Sequence, residues 1–401
     1  MDLGAGRGHL SYSTLVHAGD TWAEMDASLR THVPAVKAAV SPDQPFAVSL
    51  RLSAASVGTL IGDPRERGRL KSYLDANDLY VYTVNAFPYG PFKGGPVKER
   101  VYEPDWTTDD RARYTMGVAD ILAEISPPSV HPSIQTAPLA YRPNVTGEAY
   151  VDACTRQVLR VVAHLVGLER RTGRRVTLAI EPEPHCYLET TDETVTYFTE
   201  RLYPAAPELA RLAGIPVSEA IGALRRHVGV VFDIGHQAVG FEDIPDSLRK
   251  LVAAGIPIFK LQAAAALWIS RVTAEAVEAA RAFTDTIYLS QTVERRDGRT
   301  TRYLDLEDAL YAWEKDPGDR ELRTHFHVPV FLDDLGPFRT TRFAVEEAFR
   351  MHRETPLSEH LEIETYTWDV LPPGLKHGGI DDYVRRELDF VRGLVLGDGA
   401  V

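Results

Sequence analysis

Eight short runs of β-branched, aliphatic or aromatic residues recur along the chain, with stretches of helical periodicity between them. This alternation confines the chain to folds built on a parallel sheet. The runs fall near residues 8–16, 46–52, 79–85, 132–137, 176–181, 228–233, 257–262 and 361–366. Eight strands separated by helices suit closure into a (β/α)₈ barrel. Segments 20–39, 109–125, 148–171 and 247–254 carry the helical patterns, and Asp20, just ahead of Trp22-Ala23-Glu24, has the acceptor side chain of an N-cap. With 401 residues and 44% apolar content the chain can bury the core of one such barrel with insertions. Two stretches exceed ordinary connections. Residues 87–106 are rich in Pro, Gly and Lys and could cross the barrel mouth as a lid. Residues from about 283 to 342 form a long insertion between the seventh and eighth strands, with a hairpin turning at Asp297-Gly298. No fixed-period repeat or low-complexity linker divides the chain, so 1–401 reads as a single domain.

The bulk chemistry narrows the partners. A net charge of −13 argues against a nucleic acid, whose phosphates are bound by clustered Lys and Arg. No apolar run reaches membrane-spanning length, and the first residues carry no secretory pattern. Cys154 and Cys186 are too few for a disulfide framework. A cytoplasmic protein acting on a small metabolite is the expectation.

The chemistry lies at the strand ends. The fifth strand, Val-Thr-Leu-Ala-Ile, runs into Glu181-Pro182-Glu183-Pro184-His185, where proline stops the pairing and a carboxylate emerges. The sixth runs into Asp233-Ile234-Gly235-His236, and the seventh gives Lys260-Leu261-Gln262 before a run of alanines. In the eighth, Glu362 and Glu364 share one face by the period of two. Singly, each acid could be a solvated or paired charge. Together, Glu181, Asp233, Gln262 and Glu364 offer three carboxylates and an amide oxygen from successive strands, a hard cage suited to Mg²⁺ or Mn²⁺, with zinc favoured only if imidazole joins.

This pattern, Ile-Glu-Pro, Phe-Asp-Ile-Gly-His, Lys-Leu-Gln-Ala and Glu-Ile-Glu-Thr-Tyr, resembles the xylose-isomerase-like barrel superfamily, which includes ketose epimerases, inosose dehydratase, hydroxypyruvate isomerase and endonuclease IV. The resemblance covers the last four strands and implies that Glu181, Asp233, Gln262 and Glu364 hold one divalent metal. Gln262 stands where the epimerases have His. It implies that His236 contacts substrate, or a further metal as in the nuclease. Over a longer span, including His9-Leu-Ser-Tyr-Ser-Thr-Leu-Val-His17 and His325-Phe-His327-Val-Pro, the chain is similar to the EboE group of metabolite traffic proteins. In endonuclease IV an Asp-x-His pair after the seventh strand binds further zinc. Here His325 takes the place of the Asp, and Asn85 and Thr136 stand where the nuclease needs histidines, which argues against a trinuclear nuclease.

His325 and His327 flank Phe326, so an extended backbone points both imidazoles to one side, as ligands, a proton shuttle or loop-bonded histidines. His17, Arg51 and Lys260, at or within the first, second and seventh strands, are further candidates for substrate contact, and Phe87 and Trp106 for capping the pocket. The expected reaction is proton transfer next to a carbonyl of a small sugar, cyclitol or keto-acid-like metabolite. Glu181 and Glu364 would take and return the proton while His236 orients a hydroxyl. Two alternatives remain: a metal-dependent hydrolase with a second metal on His236 and His325 or His327, and a non-catalytic carrier.

Overall fold

The computed structural model describes residues 1–93, 95–284 and 287–397. The described residues form thirteen strands, numbered in chain order. Strands β1 (His9–Tyr12), β2 (Phe46–Arg51), β3 (Leu79–Asn85), β4 (Ser133–Thr136), β5 (Thr177–Ile180), β6 (Val228–Asp233), β7 (Ile258–Ala263) and β13 (His360–Ile363) form one eight-stranded sheet. Its order is β1-β13-β7-β6-β5-β4-β3-β2, with every neighbouring pair parallel. A parallel bridge between Ser13 and Ser49 spans the remaining gap between β1 and β2 and closes the ring. All eight strands expected from sequence are present. The first is shorter than expected, because Ser13 caps a 3₁₀ turn, Thr14–Val16, where extended backbone was expected.

Helices pack outside the ring, as parallel strands require on a face that would otherwise be wet. Helix Asp109–Ile125 has the expected bounds, and helix Glu148–Thr172 runs one residue beyond them to Gly173, whose φ of +70° provides the left-handed stop. The latter buries Val151, Val158, Val162, Leu165 and Val166 on one stripe against its neighbours. Helix Trp22–Val40 is capped by Thr21, not Asp20. Thr21 and Glu24 make a reciprocal capping box, while the Asp20 carboxylate accepts from the Phe92 N–H at 2.9 Å and so ties the lid segment to the barrel.

The insertion begins earlier than 283. The alanine run after β7 is itself a strand, β8 (Ala265–Ile269), in a second, antiparallel sheet. Alanine side chains let this strand leave the barrel through packed surroundings, and Ala263 to Ala266 are all buried. Strands β9 (Thr292–Arg296), β10 (Arg299–Tyr303), β11 (Glu321–Val328) and β12 (Arg339–Thr340) complete the sheet in the order β10-β9-β11-β8-β12. The β9–β10 hairpin turns at Asp297-Gly298, with φ of +50° and +76°, as a two-residue loop with primed geometry demands. A bulge in β11 between Thr324 and His327 shifts its register against β8. Cys154 and Cys186 are free and buried. Among the described residues, no helix is long and apolar enough to cross a membrane.

Candidate functional site

Four strand ends converge at one end of the barrel. Glu181 follows β5 directly, its N–H donating to Thr136 O at 3.0 Å, and Glu364 follows β13, its N–H donating to Ala263 O at 3.2 Å. Asp233 ends β6 and divides its carboxylate. Oδ1 caps the next helix through the His236 N–H at 2.9 Å, which leaves Oδ2 for the site. Gln262 comes from β7 and sets its amide nitrogen 3.1 Å from Glu181 Oε1, 2.6 Å from Asp233 Oδ2 and 2.8 Å from Glu364 Oε2. All four side chains are buried. The outer oxygens of the two glutamates are also held: Gln135 Nε2 donates to Glu181 Oε2 at 2.6 Å, and Asn85 Nδ2 to Glu364 Oε1 at 2.7 Å. Burial, and then neighbouring carboxylates, Glu364 and Asp233 for Glu181 and Glu362 and Asp233 for Glu364, push both well above the usual carboxylate range.

These residues fit a divalent cation. Three carboxylate oxygens crowd one point with only an amide between them, and the Gln262 Oε1 is a buried oxygen with no hydrogen-bond partner. Half a turn of that amide would set Oε1 among the same carboxylates, completing an oxygen-only donor set of the kind that holds a divalent cation.

Directly beside the cage stand three imidazoles. His236 Nε2 lies 3.1 Å from His325 Nε2, which lies 3.1 Å from His327 Nε2. His236 comes from the helix after β6; His325 and His327 come from β11, aimed inward by its bulge. His236 Nε2 is 3.8 Å from Asp233 Oδ2, so cage and imidazoles are contiguous. Burial pushes His325 well below the ordinary histidine range, and His327 down to about 4.

Above the glutamates lies a half-open cavity. Glu181, Glu364, His236 and His325 form its polar side, and Phe87, Phe92, Tyr102 and Tyr366 its aromatic wall. Phe87, Phe92, Val97 and Tyr102, from the expected lid, therefore roof the site, and Phe87 lines it as expected. Trp106 does not. It is fully buried, with Nε1 donating to Thr136 Oγ1 at 3.2 Å.

Three expected substrate contacts lie outside this cavity. His17 stacks on His32 at 4.0 Å and bonds the Tyr12 hydroxyl at 2.9 Å, away from the cage. Arg51 is buried and donates to Gly90 O at 2.7 Å, holding the lid rather than a ligand. Lys260 sits inside the barrel, donating to Gln135 Oε1 at 2.5 Å and to Glu362 Oε2 at 3.0 Å. Conversely, sequence reasoning assigned no role to Gln135, Gln291, Tyr102, Tyr366 or Glu183, which line or brace the site. Only Glu183 carried a signal, since it repeats the carboxylate two residues beyond Glu181.

A xylose isomerase-like TIM barrel protein from Mycobacterium smegmatis, solved in complex with magnesium, aligns over 98% of both chains at 11% identity with a TM-score of 0.50. The fold is a xylose isomerase-like TIM barrel. A D-tagatose 3-epimerase-like protein aligns over 98% of this chain and 100% of its own at 13% identity, TM-score 0.49. A xylose isomerase domain protein from Planctomyces limnophilus aligns over 96% of both chains at 12% identity, TM-score 0.49. No family model matches the chain, and no curated protein matches its sequence.

Proposed function

We propose that this protein is a divalent-metal-dependent isomerase or epimerase that moves a proton next to the carbonyl of a small sugar, cyclitol or keto-acid-like metabolite. One observation carries the reading: Glu181 and Glu364 meet across the Gln262 amide at the floor of the cavity, each with its outer oxygen clamped by a side-chain amide. Glu181, Asp233, Gln262 and Glu364 would hold the cation, Mg²⁺ or Mn²⁺ by their oxygen donors, with Zn²⁺ if imidazole takes part. When bound, the ion polarises carbonyl and hydroxyl oxygens.

The chain's own groups do the rest. One glutamate accepts the proton from the carbon beside the carbonyl, and the C–H electron pair shifts toward the carbonyl oxygen. The facing glutamate returns a proton, at the neighbouring carbon for isomerisation or to the opposite face for epimerisation. Gln135 and Asn85 fix the carboxylate planes, so that little reorganisation precedes transfer. His236 lines the cavity with its Nδ1 held at the Pro182 carbonyl oxygen, and would orient a substrate hydroxyl. The aromatic roof limits water. That the second sheet supplies His325 and His327 to the barrel's site supports reading sheet and barrel as a single functional unit. The similarity to the EboE group is consistent with a place in secondary metabolism.

The test is solvent exchange. Wild type with Mn²⁺ should exchange a carbon-bound proton of a suitable ketose, inosose or hydroxy-keto acid with deuterated water, followed by NMR, and Glu364→Gln should lose most of that exchange while still binding. If a ligand found by thermal shift binds both proteins alike and neither exchanges a proton, the protein is a carrier.

A further inference from the structure

We infer that the cavity selects an amino-substituted sugar or cyclitol, and that Glu183 binds its ammonium group. The inference rests on the reading of the cavity as a substrate site and narrows it, because it sets aside phosphorylated and carboxylated metabolites. Glu183 lines the cavity but is not one of the four cage residues. Its Oε1 accepts from the Tyr102 hydroxyl at 2.8 Å and from Gln291 Nε2 at 3.2 Å, as an ionised carboxylate does. Its Oε2 is buried and has no hydrogen-bond partner. A buried carboxylate oxygen in that condition is unfavourable until a donor reaches it, and a charged donor makes the stronger bond.

The charges around the cavity point the same way. Glu181, Asp233 and Glu364 together exceed by one the charge that a divalent ion in the cage would cancel, and Glu183 adds another. Among the described residues, no arginine lines the cavity, and its one lysine, Lys98, pairs with Asp305 at 3.0 Å. The side-chain amides on its wall are committed to acids already: Asn85 to Glu364, Gln135 to Glu181 and Gln291 to Glu183.

A phosphate or carboxylate would therefore enter a low-dielectric site of its own sign, where the cations and amides that could meet it are paired with acids. An ammonium enters a site of the opposite sign. It also meets aromatic faces, which attract cations: Tyr102, whose hydroxyl holds Glu183, and Phe87 line the cavity with ring centroids 5.9 Å apart. The rest of the polyol ring then lies toward Glu181 and Glu364, where its hydroxyls face the cage.

The test is binding and does not depend on turnover. Mn²⁺-loaded protein is titrated by calorimetry with scyllo-inositol, scyllo-inosamine and scyllo-inositol monophosphate; all ring positions of the parent are equivalent, so a single amine samples every placement. D-glucose, D-glucosamine and a D-glucose phosphate ester form a second series. In at least one series the amine should bind about tenfold tighter than the parent polyol, or better, with the phosphate weakest. Glu183→Gln, checked for retained Mn²⁺ binding, should bring the amine down to the affinity of the parent. Should that variant lose its Mn²⁺, wild type decides: the N-methyl amine, which keeps the charge, should keep the advantage, and the N-formyl amine, of similar size but neutral, should lose it. An amine preferred in neither series, a phosphate that binds as tightly as the parent, or a preference that survives in Glu183→Gln or on formylation would overturn the inference. An amine that binds in the expected pattern yet exchanges no carbon-bound proton would remove the isomerase reading alone.

Discussion

Replacing Lys260 by methionine removes an ammonium from the inside of the barrel while keeping most of the side-chain volume. Lys260 and Glu362 are both fully buried and 3.0 Å apart. The Glu362 oxygen that accepts from Lys260 also accepts from the Ser49 hydroxyl, and its other oxygen has no partner. Without the lysine, Glu362 is a buried carboxylate with one neutral donor, and such a broken pair typically loses about 3–5 kcal/mol. Gln135 Oε1 loses its 2.5 Å donor too, but part of that loss is already in the range. The double variant Lys260→Met/Glu362→Leu removes both charges and should recover most of the stability, because buried pairs replaced by apolar groups are often close to neutral. Urea unfolding followed by tryptophan fluorescence, with Trp106 in the core as a reporter, gives both values. Lys260 also braces Gln135, which holds Glu181, so Mn²⁺ affinity should fall about tenfold in the single variant. A loss of under about 1 kcal/mol, together with a weakened small-molecule ligand, would refute this placement and restore Lys260 as a substrate contact.

Three further expectations follow from the same contacts. Glu181→Gln and Asp233→Asn should each lower Mn²⁺ affinity at least tenfold by calorimetry; full affinity in both would put the metal elsewhere. Mn²⁺ at a hundred times its dissociation constant should stabilise wild type by about 2.7 kcal/mol, measured as a shift of the unfolding midpoint that chelator reverses, and an unmoved midpoint would contradict specific binding. Glu387 is fully buried and burial raises its pKa to about 8, though Thr365 and Val330 donate to it. Because the folded state then holds a proton that the unfolded state releases above about 4.5, its contribution is complete below that pH and lost as pH rises through 8. Glu387→Gln should flatten this decline in stability between pH 5 and 8 by thermal melts, and an unchanged slope would count against it.

What the sequence carried was local. The eight strands were legible because each is a short apolar run bounded by breakers, and Glu181, Asp233, Gln262 and Glu364 were legible because a polar residue ending such a run has one place to go. Tertiary structure decided everything that depends on depth and closure. Lys260 and Gln262 lie two residues apart on the same face of β7, yet one braces the barrel interior and the other enters the cage, because the stagger of the neighbouring strands sets the layer each occupies. The alanine run gave no periodicity by which to tell a strand from a loop, and only its pairing with β11 and β12 made it β8. Asp20 and Thr21 compete for one cap, and the winner follows from the lid contact that occupies Asp20. The three-imidazole cluster joins His236 to residues 89 and 91 positions later, and Gln291, which faces His325 Nδ1, comes from between them. No local pattern encodes that meeting, since it depends on a bulge in one sheet and the docking of that sheet on the rim of another.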